Sequence, residues 1–148
     1  MTDDPRAYPA RPMVGIGLCV LRPDAVLLVR RARPPHQGAW ALPGGAQELG
    51  ETAEDAARRE LREETGLIAG PLLLAAHVDS ITRDGDGRVA WHYTILDFAL
   101  RDPGGDAVAG SDVDALVWAK LSDLDRYSLW SEAHRVIAAS RRLLGDAG

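Results

Sequence analysis

Two stretches near the start of the chain, VGIGLCVL (14–21) and AVLLVRR (25–31), are apolar almost without interruption and are separated only by RPD. Short apolar runs joined by a tight turn read as a pair of strands. LLLAAHVDSI (72–81) and VAWHYTILDFAL (89–100), joined at RDGDG, read as a second pair, and ALVWAK (115–120) as a further strand. Between these pairs the period changes. Ala53, Ala56, Ala57 and Leu61 recur at helical spacing, which predicts a helix over 53–65 with a narrow apolar flank. Thr52 followed by Asp55 matches a capping box with Asp in place of Glu or Gln, and acids in the first turn suit the helix dipole. Gly66 can take the left-handed conformation that ends a helix. The same spacing returns in WSEAHRVIAASRRLL, predicting a second helix at about 129–144, and SDLDRYS before it can begin a helical turn. Residues 1–12, polar and proline-rich, are expected as a flexible lead-in, leaving 13–148 as one domain. Elements in this order predict an α/β fold, a mixed sheet with helices on both faces.

Composition narrows the class. A chain of 148 residues can bury one proper core, and 46% hydrophobic with 26% charged content is that of a soluble globular domain. The apolar runs are too short to span a bilayer, and no segment has the organisation of a secretory signal. A net charge of -5 argues against a nonspecific nucleic-acid binder. The single cysteine, Cys19, lies inside an apolar run and reads as a small buried hydrophobe in a reducing, cytoplasmic setting.

The distribution of acid is more telling. Six of the seven glutamates (Glu48, Glu51, Glu54, Glu60, Glu63, Glu64) fall between residues 48 and 64. Helix propensity explains part of this, but not Glu48 and Glu51, which precede the helix in a glycine-rich loop. On a helix, Glu60, Glu63 and Glu64 share one face, where like charges three and four apart repel. Arg58, Arg59 and Arg62 are interleaved with them, as a solvated face would have it. The other reading is a carboxylate cluster neutralised by a hard cation, Mg²⁺ or Mn²⁺, since no Cys or His stands nearby. The wider window, GAQELGETAEDAARRELREETGL from Gly45 to Leu67, has Gly, five residues, Glu51, seven residues, then Arg59-Glu60-Leu61-Arg62-Glu63-Glu64-Thr65-Gly66-Leu67. This resembles the Nudix box of the Nudix hydrolase family at every specified position.

The resemblance implies a Nudix-type α/β/α sandwich and divalent-metal-dependent hydrolysis of a pyrophosphate bond in a nucleoside diphosphate derivative, by water attack at phosphorus. Carried onto this sequence, Glu60, Glu63 and Glu64 would bind Mg²⁺ or Mn²⁺, with a backbone carbonyl of Gly44 or Gly45 completing the shell. Arg59 would hold Glu60 or a neighbouring acid, and Glu51 would face the metal site or pair with Arg59. Many members have a downstream glutamate as base or extra ligand, whereas this chain has none between 65 and 131. Asp112, with Asp114 as second choice, stands in that region, either in that role or as an Asx turn; Glu60 or Glu63 is the other candidate base. VRRARPPHQGAWALPGG resembles small ADP-ribose pyrophosphatase-like members. Arg31 is the candidate for a phosphate or terminal ribose; His36 is either a substrate contact or a solvated loop histidine, Arg30 and Arg33 can be simply solvated, and Trp40 fits a buried strand anchor better than a base platform. Trp91 and Tyr93 share a strand face that could stack on adenine or belong to the core. The expected partner is a small nucleotide, ADP-ribose or a related nucleotide sugar first and a nucleoside triphosphate second, ahead of a non-catalytic nucleotide sensor. No nucleic acid or membrane is expected, and a homodimer is an expectation from the resemblance alone.

Overall fold

A computed structural model describes residues 4–33 and 36–145. The first apolar pair forms β1 (Met13–Arg22) and β2 (Ala25–Arg31), and the second forms β5 (Leu73–Arg83) and β6 (Val89–Arg101). Between them lie β3 (Trp40–Ala41), β4 (Gly44–Ala46) and helix α1 (Ala53–Thr65); β7 (Val113–Lys120), a 3-10 turn over Leu121–Tyr127 and α2 (Ser131–Leu143) complete the chain. The sheet runs β3-β2-β1-β6-β5, with β4 added to β1 and β7 to β2. β1 and β6 are parallel from Met13↔Tyr93 to Leu21↔Arg101, and the other pairings are antiparallel.

β1 explains why its sequence does not alternate. Ile16, Leu18 and Val20 point into a cluster with Ala56, Ala57 and Leu61 of α1. Cys19 and Leu21 point the other way, into a cluster with Val136 and Ile137 of α2. A strand covered on both faces is apolar throughout. Helices therefore cover both faces of a mixed sheet, as expected. Among the described residues no helix is long and apolar enough to cross a membrane.

The sheet forks where the candidate chemistry lies. β1 pairs with β2 only beside their turn, at Leu21↔Val26 and Arg22↔Ala25. Further along, the same edge of β1 takes β4 instead, at Gly15↔Ala46, Ile16↔Gly45 and Gly17↔Gly44. The chain from Trp40 to Ala46 thus fills the opening between diverging strands and brings Gly44 and Gly45 against α1. The lead-in is fastened where it is described: the Tyr8 amide donates to the Ala90 carbonyl at 2.8 Å and its hydroxyl to Asp84 at 2.9 Å.

Candidate active site

Helix α1 begins and ends on local signals. Thr52 Oγ1 accepts the Asp55 amide at 3.1 Å, and Gly66, at φ 77°, closes the helix by donating to the Arg62 carbonyl at 2.9 Å. Ala56, Ala57 and Leu61 are fully buried, which fixes the rotation of the helix about its axis. That rotation aims Arg59, Glu60, Glu63 and Glu64 at the fork.

Arg59 is the hub of the ion pairs. Its Nε and Nη2 donate to the two Glu51 oxygens at 2.6 and 2.9 Å, a fork-on-fork pair. Its Nη1 reaches Glu60 at 2.9 Å and Glu63 at 3.2 Å, and Nη2 also donates to the Ala46 carbonyl at 3.0 Å. The Arg59 guanidinium holds the Glu51 carboxyl below the usual carboxylate range, helped by the Glu48 amide. One guanidinium thus ties the loop before the helix to the acids on it.

Glu60 and Glu64 form the inner pair. Burial pushes the Glu60 carboxyl up even with Arg59 beside it. Glu64, only 8% exposed, is pushed up to about 8, chiefly by burial; the Gly44 amide, donating at 2.8 Å, opposes the rise and the Glu60 charge adds to it. Both acids rest on glycine backbone. A Cβ on Gly45 would collide with the Glu60 carboxyl, and one on Gly44 would collide with the Ile16 carbonyl, so this contact requires glycine at both positions. Two sheltered carboxylates short of positive charge, with oxygen donors only, suit a hard divalent cation. Glu63 stands at the rim against Arg59, and among the described residues no three His, Cys, Asp or Glu side chains already converge as a closed cage.

The remaining candidates are placed unequally. The Arg31 charge acts on Glu64, and so does that of Asp112, which puts both near the inner pair. Asp112 sits in a left-handed turn, φ 63°, with Arg33 Nε 2.5 Å from its carboxylate, and Asp114 pairs with Arg30 at 2.6 Å. Arg30 and Arg33 thus carry ion pairs while their side chains remain exposed to solvent. His36 is exposed at φ 62°, its carbonyl accepting the Ala39 amide. Trp40 is a half-buried strand residue, edge-on to Tyr127 at 5.6 Å. Tyr93 lies beside Gly15 with Ile95, and Ile95 packs with the α2-side cluster. By alternation Trp91 and Tyr93 face the α2 side of the sheet, away from the α1 side that carries Glu60.

Sequence reasoning missed three features. The first is the pair of short strands that carries the glycines. The second is Asp97, 4% exposed on the α2 side in the middle of β6, with its carboxyl pushed up to about 6 by burial. The third is the loop before β7, which packs on the end of α1; Gly110 was its visible signal.

Known proteins resemble this chain in sequence and in fold. The chain is 36% identical over 115 residues to "ADP-ribose pyrophosphatase" of Methanocaldococcus jannaschii, covering 78% of this chain and 66% of that protein. It is 45% identical over 116 residues to "Putative 8-oxo-dGTP diphosphatase 3" of Mycobacterium tuberculosis, covering 74% and 52%. The matched stretches therefore span two thirds or less of these two relatives. "Putative 8-oxo-dGTP diphosphatase 2" of the same organism is 36% identical over 135 residues, 86% of this chain and 88% of that protein. Among solved structures, a MutT NUDIX hydrolase from Burkholderia pseudomallei superposes with a TM-score of 0.76 at 29% identity, covering 87% of this chain and 98% of that one. The NUDIX domain of Shewanella oneidensis NrtR shares the fold, with a TM-score of 0.75 at 22% identity over 97% and 99%. The NUDIX domain pattern matches residues 11–140, nearly the whole described chain, and the protein belongs to the NUDIX family.

Proposed function

We propose that this chain hydrolyses a pyrophosphate bond in a nucleoside diphosphate derivative, with ADP-ribose or a related nucleotide sugar as the preferred substrate. The observation that carries the reading is the inner pair, Glu60 and Glu64, both pushed up by burial and seated on the backbone of Gly45 and Gly44. Glu60, Glu63 and Glu64, with a Gly44 or Gly45 carbonyl, would hold Mg²⁺ or Mn²⁺. When bound, the ion would neutralise pyrophosphate charge and lower the pKa of a coordinated water, so that loss of its proton gives the nucleophile.

The chain's own groups do the rest. Arg59 keeps the glutamates from spreading under mutual repulsion and orients Glu60 through a hydrogen bond of 2.9 Å. Glu51 holds Arg59 in turn, so neither long side chain must be ordered at the moment of reaction. Glu60, Glu63 or Asp112 takes the proton of the attacking water; Arg59 holds the first two and Arg33 the third. Arg31, whose charge reaches Glu64, serves the phosphate of the substrate. The resemblance to an ADP-ribose pyrophosphatase supports the substrate.

A second reading, a nucleoside triphosphate pyrophosphatase, is favoured by a relative matched over 86% of this chain and 88% of its own length, named as a putative 8-oxo-dGTP diphosphatase. A panel of ADP-ribose, NADH, dinucleoside polyphosphates and each NTP and dNTP, run with Mg²⁺ and with product identification, separates the two. AMP plus ribose 5-phosphate is the expected outcome. Pyrophosphate released from a triphosphate establishes the second reading, and no hydrolysis of any member overturns both.

A further inference from the structure

The loop from Asp102 to Asp112, between β6 and β7, ends on the last turn of α1. The final carbonyls of a helix have no partner within it. Here every one of the last four is satisfied. Gly66 donates to Arg62 at 2.9 Å, and the loop supplies the rest: Ser111 to Glu63 at 3.0 Å, Gly110 to Glu64 at 2.9 Å, and Val108 to Thr65 at 2.8 Å. Two of these carbonyls belong to the residues whose side chains would hold the metal.

The approach is close. A Cβ on Gly110 would collide with the Glu63 carbonyl oxygen and lie 3.0 Å from its carbon, and backbone atoms there cannot swing aside as a flexible side chain would. Beyond Gly110 the chain turns at Asp112, whose carbonyl accepts the Ala32 amide at 2.9 Å while its carboxylate meets Arg33. The loop therefore spans two places, the turn bearing Glu63 and Glu64, and the segment after β2 that follows Arg31.

We propose that residues 106–112 clamp the metal-bearing turn, and that Gly110 is a positioning residue which sets the affinity of Glu63 and Glu64 for a divalent ion. The inference rests on the functional reading above, because it assumes that these glutamates receive the metal. The clamp sets where the two Cα atoms stand, and a shift of a few tenths of an ångström there moves both carboxylates against Glu60. Binding couplings are reciprocal. If the clamp favours the metal, the metal must tighten the clamp.

The test compares Gly110→Ala with Gly85→Ala, a control in the β5–β6 turn where an added Cβ meets nothing within 4 Å. Mn²⁺ binding to the substrate-free protein is measured by electron paramagnetic resonance. Gly110→Ala is expected to weaken Mn²⁺ roughly tenfold or more, within the range for groups that orient metal ligands, while Gly85→Ala binds as the parent does. Excess metal should recover much of the lost turnover. Unchanged Mn²⁺ affinity in folded Gly110→Ala, with activity lowered equally at all metal concentrations, overturns the clamp and leaves the functional reading standing. Absence of Mn²⁺ binding in the parent overturns both. Should the variant not fold, the parent decides: Mg²⁺ should slow amide hydrogen exchange at Val108, Gly110 and Ser111 relative to Asp86 and Arg88 in the control turn. Equal rates with and without Mg²⁺ in a protein shown to bind it refute the proposal.

Discussion

Asp97 gives the most quantitative expectation. It is 4% exposed, and its carboxyl lies over Gly17, so close that a Cβ there would collide with Oδ1. Arg135 of α2 lowers its pKa and Glu132 of the same helix raises it, but burial dominates and pushes it from 3.8 to about 6. The folded state therefore resists ionisation. Protonated, Asp97 fits its site at no electrostatic penalty; as the pH rises from the unfolded value through about 6, that advantage is lost. A tenfold difference in proton affinity between the folded and unfolded chain is worth about 1.36 kcal/mol, so ionising Asp97 costs about 0.5 kcal/mol at pH 4 and about 3 kcal/mol by pH 8. Asp97→Asn removes this cost. The new amide brings donors that need partners, an offset of about 1–2 kcal/mol that does not depend on pH. The informative quantity is thus the change in the stability difference between parent and variant across the range. Denaturant unfolding with chelator present, at steps from pH 4.5 to 8, should show the variant gaining about 2 kcal/mol on the parent. For a chain of this size that is a shift of about 4–8 °C in melting temperature. Contributions from Glu60 and Glu64 are common to both proteins and cancel. Parallel stability profiles, with the difference constant to within about 0.5 kcal/mol, would refute the assignment of Asp97 as an acid that burial holds protonated.

Four further outcomes follow from the site. Glu64→Gln should lower turnover by roughly 10²–10³-fold or more, the scale of losing one fixed electrostatic group, without lowering metal-free thermal stability; near-normal metal-dependent activity would remove Glu64 from the site. Arg59→Lys keeps the charge but cannot span Glu51, Glu60 and Glu63 at once, so metal affinity should fall about 10–100-fold by calorimetry. Mg²⁺ at 100 times its dissociation constant should stabilise the fold by about 2.7 kcal/mol. Because Glu64 titrates at about 8, the metal competes with a proton below that pH, and its apparent affinity should rise roughly twentyfold from pH 6.5 to 8.5. A pH-independent affinity would contradict the sheltered state of Glu64.

Much of the molecule is legible in the chain because its signals are local. Thr52 and Gly66 bound α1, predicted over 53–65 and found over Ala53–Thr65, since a cap and a left-handed stop act within one turn. β1, β2, β5 and β6 each carry enough apolar residues to be seen. What escaped depends on distant partners. β3 and β4 have two and three residues, too few for any period, and exist only because β1 and β2 diverge and offer free edges. Alternation puts Trp91 and Tyr93 on a common face, but it cannot tell which helix that face meets. The bonds from Val108, Gly110 and Ser111 to α1 are backbone to backbone and leave almost no trace in side-chain identity. The same holds for the glutamates: their shared face is written in their spacing, whereas the shelter that pushes Glu64 up to about 8 comes from the fold around it.

Cys19 has a practical consequence. It is the only cysteine in the chain, fully buried between β1 and α2, with its thiol pushed up to about 12 by that burial. A modifying reagent cannot reach it, nor find thiolate to react with, unless the α2 side of the sheet comes apart. The rate of its alkylation is therefore a built-in gauge of opening, readable in unmodified protein at native pH and without added dye. Slowing of that reaction by substrate or metal would report, from the far side of the sheet, how strongly the site couples to the whole fold.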